Sequence, residues 1–184
     1  RRLDGRVEID DAYLGGERAG HIHGGRGGLN KTAFVAAVQT TQDGKPLFMR
    51  LRPIAGFTNQ EIKEWALHSL APTAHVVSDG TACFAQVTHM GATHERYVTG
   101  SGRHAAQMPT FKWVNTVLGN VKTALNGTYH SVAYAKYAGR YLAEFAYRFN
   151  RRFDLAAMLP RLLRAACVTQ PQPLKIIRYS EAGS

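Results

Sequence analysis

The sequence predicts an α/β fold, a mixed sheet flanked by helices. Three observations carry that expectation. Short β-patterned runs fill the first half of the chain, long stretches of helical periodicity fill the second, and two of the β-runs end on aspartates. Asp10 closes Val7-Glu8-Ile9-Asp10, and Asp79 closes His75-Val76-Val77-Ser78-Asp79.

Taken in order, Arg6 to Leu14 holds alternating or apolar β-formers and stops at Gly15-Gly16, which reads as a strand. Gly15 to Lys31 is glycine-rich and basic, with Arg18, His21, His23, Arg26 and Lys31. It has too little apolar surface to order itself and is expected to be a mobile loop. Ala33 to Thr41 and Pro46 to Pro53 read as two strands joined at Asp43-Gly44, a hairpin signature. Asn59 to Leu70 presents Ile62, Trp65, Ala66 and Leu70 at helical spacing, with Thr58 or Asn59 as the cap. A buried strand over His75 to Ser78, a short helix from Thr81 to about His89, a strand over His94 to Thr99 and a polar loop over Gly100 to Thr110 follow. Val114, Val117, Leu118, Val121 and Leu125 then form one apolar stripe, which leaves Asn115 and Lys122, two turns apart, on another face. Tyr134 to Phe149 carries aromatics at helical spacing that read as core. Leu155 to Val168 reads as a last helix, entered or interrupted near Pro160.

Length and charge bound the function. The 184 residues, 45% hydrophobic, can bury one core, so a single domain is expected over 1–170, with a tail over 171–184. Lys plus Arg number 23 against 13 Asp plus Glu, a net charge of +10, which favours a polyanionic partner and nucleic acid before anionic membrane. Cys83 and Cys167 form no ligand spacing and read as reduced core cysteines of a cytosolic protein. No apolar run approaches the roughly 20 residues that span a bilayer. Arg1-Arg2-Leu3-Asp4-Gly5 is not a signal peptide, and without an initiator Met the chain is expected to be cut from something longer.

The element order β-β-β-α-β-α-β-α is that of a ribonuclease H-like mixed sheet flanked by helices. In that arrangement the first and fourth strands are neighbours, so Asp10 and Asp79 are expected to meet, at the strand ends where ligands gather. Paired acidic oxygens in a basic protein suit Mg²⁺ or Mn²⁺ acting on a phosphodiester. Asp11 is a competing carboxylate that points to the opposite face if the strand continues, while Glu8 shares the face of Asp10. His21 and His23 have no further ligand at zinc spacing and read as part of a DNA-contacting loop. Arg148, Arg151 and Arg152, at a helix end, read partly as dipole partners and partly as a DNA-facing cluster.

Gly5-Arg6-Val7-Glu8-Ile9-Asp10-Asp11-Ala12-Tyr13-Leu14-Gly15-Gly16, Val77-Ser78-Asp79-Gly80, and Val114-Asn115-Thr116-Val117-Leu118-Gly119-Asn120-Val121-Lys122 with Gly127-Thr128-Tyr129-His130 resemble the ISXO-like group of bacterial insertion-sequence transposases of the DDE superfamily. Tyr141 to Arg152 resembles that group's closing segment. The resemblance covers about Gly5 to Arg164. It implies an Mg²⁺-dependent DNA transposase domain that cleaves insertion-sequence ends and transfers the freed strand. It further implies DNA as partner, a homo-oligomer on DNA, no membrane, and a bacterial cytoplasmic, nucleoid-associated setting. The N-terminal zinc-ribbon or helix-turn-helix segment typical of the group is absent, so an isolated catalytic core is expected.

The resemblance also implies roles. Asp10 and Asp79 are metal ligands. Asn115 stands where most of the superfamily has Glu, as in the D-D-N-K subgroup, and completes the metal set, with Asn120 as the rival position. Lys122 contacts phosphate. Arg18, Arg26, Lys31, Lys122, His130, Arg148, Arg151 and Arg152 are the expected DNA contacts. The alternatives are a ribonuclease H-like nuclease that hydrolyses without joining, an inactive DNA-binding remnant of a transposase, and, from charge alone, a ribosome-associated RNA binder.

Overall fold

The computed structural model describes residues 1–15, 31–97, 109–128 and 134–178. Five strands form one mixed sheet in the order β3-β2-β1-β4-β5. They are β1 (Arg6–Leu14), β2 (Thr32–Thr40), β3 (Pro46–Pro53), β4 (His75–Ser78) and β5 (Thr93–Arg96). β1, β2 and β3 are antiparallel neighbours, whereas β4 runs parallel to both β1 and β5. The turn between β2 and β3 has Gly44 at φ 75°, a left-handed conformation that glycine adopts without a Cβ clash. Thr41 and Lys45 exchange backbone and side-chain hydrogen bonds across it.

Burial on both faces explains the nearly unbroken apolar run of β2, where Ala33 to Val38 are all buried. One face packs β1 residues Val7 and Ile9 and β2 residues Val35 and Ala37 against α1 (Asn59–Ser69) and the 3₁₀ helix Ala82–Met90. α1 starts where Thr58 accepts the Glu61 N–H at 3.3 Å, and it buries Ile62, Trp65 and Ala66. The other face packs Phe34, Ala36 and Val38 against α2 (Lys112–Thr128) and α3 (Tyr134–Phe149). The stripe Val114, Val117, Leu118, Val121 and Leu125 is buried as its spacing predicts, and Tyr141, Phe145 and Phe149 pack partly buried around it.

The edge strand β3 is closed by the residues that follow α3. The Asn150 carboxamide accepts the Met49 N–H at 2.8 Å and donates to the Met49 carbonyl at 3.0 Å. Arg152 donates to the carbonyls of Leu47 and Pro46. The open edge is thereby satisfied around Met49 and at the start of the strand.

Several elements differ from expectation. The short helix read from Thr81 to about His89 spans Ala82–Met90 and is of the 3₁₀ type. The last strand begins at Thr93 and ends at Arg96. α4 (Met158–Val168) starts beyond Leu155 and leaves Leu159, Leu162 and Leu163 more than half exposed, so its Cys167 is exposed while Cys83 is in the core. The expected tail contains one helical turn, α5 (Leu174–Ile177). The loop read over Gly15 to Lys31 lies largely outside the described residues, with only its ends, Gly15 and Lys31, inside them.

Candidate active site

The site follows from the β1–β4 register. Val7 pairs with Val76, Glu8 with Val77 and Ile9 with Ser78, after which β4 stops. Because the strands are parallel, the next residue of each, Asp10 and Asp79, emerges at the same end. Carboxylate oxygens of Asp10, Asp11 and Asp79 all lie within 4.8 Å of one another, a group that could hold a metal ion.

Asp11 belongs to this cluster, although strand alternation assigns it to the opposite face. The reason is the length mismatch: β1 has nine residues and β4 four, so beyond Ser78 the flank of β1 has no neighbouring strand. A side chain from the far face can then lean around the edge. The Thr81 hydroxyl marks the place, lying 3.2 Å from Asp11 Oδ1 and 3.3 Å from Asp79 Oδ2, while the Thr81 N–H donates to Asp79 Oδ1 at 3.0 Å. The sequence signal that could have revealed Asp11 was the short fourth strand, His75–Ser78, set against the longer first.

Crowding like charges has a consequence for Asp10. Burial, then the neighbouring Asp11 and Asp79 carboxylates, push its pKa up to about 7. The Asp11 N–H, donating to Asp10 Oδ1 at 2.8 Å, and the Lys122 charge act in the opposite sense. Without a cation, three anions so close oppose one another, and a hard divalent ion with oxygen preference is the group that relieves them.

α2 supplies the other wall. Asn115, Leu118, Gly119 and Lys122 line a cleft of about 480 Å³ together with Asp10, Asp11, Ala12 and Tyr13. The structure therefore brings Asp10, Asn115 and Lys122 to one cleft, with Asp79 joined to them through the carboxylate cluster. Asn115 is half-buried and Lys122 exposed, while Asn120 is exposed and not on the cleft wall.

The remaining sequence-derived positions fall elsewhere. Arg18, Arg26, His21, His23, His104 and His130 lie outside the described residues, and Lys31 is exposed at the start of β2. The arginines near the end of α3 make intramolecular contacts. Arg148 pairs with Glu144 at 2.6 Å, Arg151 lies 3.8 Å over the Tyr147 ring, and Arg152 stacks on Phe149 and Phe153 while holding β3. His94 meets the Ser78 hydroxyl at 2.8 Å, and burial, with Arg96 and His75 nearby, lowers its pKa.

A five-stranded mixed sheet with helices on both faces, with acidic groups midway along its first strand, where the pairing with the fourth stops, and just past the end of that fourth strand, defines a ribonuclease H-like α/β domain of the kind that DDE transposases use. The model of the ISXO2-like transposase domain matches residues 2–150, and the chain belongs to that family. Its role is that of a DNA-transposing enzyme of the insertion-sequence type. No curated protein matches the chain. Among the described residues no helix is long and apolar enough to cross a membrane.

Proposed function

We propose that this domain cuts DNA at insertion-sequence ends and joins the freed 3′-hydroxyl to target DNA, using divalent metal held by the clustered Asp10, Asp11 and Asp79 carboxylates. The observation that carries the reading is the convergence of Asp10, Asp11 and Asp79 within 4.8 Å, beside a cleft whose other wall is Asn115 and Lys122. The donor set is all oxygen, which fits Mg²⁺ or Mn²⁺. Bound divalent ions would supply an activated attacking oxygen and neutralise charge on the leaving one.

The chain's own groups divide the work. Asp10 and Asp79 hold the ions, Asn115 offers a neutral carbonyl oxygen, and Asp11 is placed to add a third carboxylate. Lys122 sets the phosphate as a point charge in the cleft. Water attacks phosphorus at the element end and expels the 3′-oxygen as a free hydroxyl; that hydroxyl then attacks a target phosphorus and expels the target strand's 3′-oxygen, each in line and with no covalent bond to the protein. Affinity for DNA comes from the +10 net charge, to which Arg18, Arg26, Lys31, His130, Arg148, Arg151 and Arg152 are assigned as contacts. The working form is a homo-oligomer on DNA in the bacterial cytoplasm, at the nucleoid.

The test is Asp79→Asn in cleavage and strand-transfer assays on transposon-end DNA with Mg²⁺ or Mn²⁺, alongside DNA binding by fluorescence anisotropy. Loss of both reactions with DNA affinity within a few-fold of wild type is expected, because one shared ligand disables the metal site while many cations bind DNA. A variant that joins a pre-cut end at the wild-type rate overturns the assignment. Hydrolysis without joining by the wild-type protein would favour a nuclease.

A further inference from the structure

Two residues before Asp10 on the same strand face, Glu8 is 1% exposed, one of only a few buried charged or polar groups among the described residues. Its Oε2 accepts the N–H groups of both Trp113 and Val114 at 2.9 Å, and its Oε1 accepts Arg6 Nη1 at 2.7 Å. Arg6 also donates from Nη2 to the Thr110 carbonyl at 2.7 Å, just ahead of α2. The first N–H groups of a helix have no partner inside it, and a carboxylate there both satisfies them and opposes the helix dipole. Here the carboxylate comes from the sheet, about a hundred residues away in sequence.

We infer that Glu8 and Arg6 are positioning residues that fix α2 against β1 and so set the width of the cleft between Asp10 and Asn115, an inference that rests on the transposase active-site reading above. Apart from this clamp and the Trp113 Nε1–H bond to the Gly44 carbonyl in the β2–β3 turn, α2 lies on the sheet through the apolar stripe from Val114 to Leu125. Apolar contact is non-directional and permits sliding and rotation; two hydrogen bonds to consecutive amides do not. Asn115 is the residue immediately after Val114, so the clamp holds the turn that carries it. The cleft walls are β1 residues 10–13 on one side and α2 residues on the other. The β1–α2 distance is therefore the site's own width.

The decisive variant is Glu8→Gln, which keeps the shape but removes the charge and one of the two acceptor oxygens, so that the amides and Arg6 can no longer both be satisfied. The folded variant is expected to exchange its Trp113 and Val114 amides about tenfold faster or more. Paramagnetic broadening of the Asn115 amide by Mn²⁺ alone should weaken, and the Mn²⁺ demand of strand transfer should rise about 10- to 100-fold, the usual range for groups that orient metal ligands. DNA affinity should not move. A folded Glu8→Gln with unchanged broadening at Asn115 and unchanged Mn²⁺ demand overturns the inference, even if its melting temperature falls, since that pattern marks a role in stability alone. Should Glu8→Gln fail to fold, Arg6→Lys serves instead, because a single ammonium cannot span Glu8 and Thr110 as the guanidinium fork does; the same shifts, smaller, are expected, and their absence is equally adverse. A wild-type protein in which Mn²⁺ broadens nothing overturns the metal reading. The clamp is then still decided by amide exchange along α2, which needs no metal.

Discussion

Replacing Asp10 by Asn should make the metal-free protein more stable at about pH 8 while abolishing its chemistry. The carboxyl of Asp10 is pushed up to about 7 from an ordinary 3.8 by burial and by Asp11 and Asp79. The sign follows from proton counting. Between about pH 4 and pH 7 the folded protein keeps a proton at Asp10 that the unfolded chain releases, so rising pH favours unfolding across that window. A shift of about three units at 1.36 kcal/mol each gives a ceiling of about 4 kcal/mol, fully expressed above pH 7 and absent below pH 4. Solvent reaching a half-buried carboxyl reduces this, and about 2–4 kcal/mol is the expected gain for Asp10→Asn at pH 8. Asn keeps the oxygen that accepts the Asp11 N–H, so the comparison isolates the charge. Denaturant melts at about pH 4 and pH 8 in EDTA, repeated with Mn²⁺, measure it. Mn²⁺ at a hundredfold its dissociation constant should add about 2.7 kcal/mol to wild type and little to the variant. Equal stabilities at pH 8 in EDTA would refute the claim that the cluster is a strained, cation-seeking site.

Asn115→Ala should lose strand transfer and regain part of it at much higher Mn²⁺, whereas Asn120→Ala should be mild, since five positions on an ideal helix turn the side chain about 140° away; inactivity of Asn120→Ala with a normal Asn115→Ala would exchange the two. Asp11→Asn should weaken Mn²⁺ binding by calorimetry about tenfold, against no change if its carboxylate faced away from the site. Asn150→Ala should lower stability by about 1–3 kcal/mol in urea melts with metal affinity intact, because the outward Met49 backbone groups lose both partners.

Local pattern alone made much of this domain legible. Period-2 runs and the Asp43-Gly44 turn placed β1 and β3 at their observed bounds, and a cap at Thr58 or Asn59, Thr58 in the structure, placed the start of α1. The stripe from Val114 to Leu125 told which face of α2 is buried, and hence that Asn115 and Lys122 share another. The strand order followed from the element order, and with it the meeting of Asp10 and Asp79. Apart from that meeting, which rests on the sheet arrangement the element order matches, these features depend on residues a few positions apart, where backbone geometry fixes which side chains share a face. Only the tertiary structure decided the rest. Asp11 joins the cluster because β4 stops at Ser78 and uncovers the flank of β1. Glu8 caps a helix whose amides lie 105 and 106 residues onward, and Asn150 closes a strand 101 residues back. Partners so far apart are set by the path of the chain through space, which no short-range periodicity encodes. The composition of the chain called for hydrogen-bonded partners to these polar groups, and the fold chose which ones they meet.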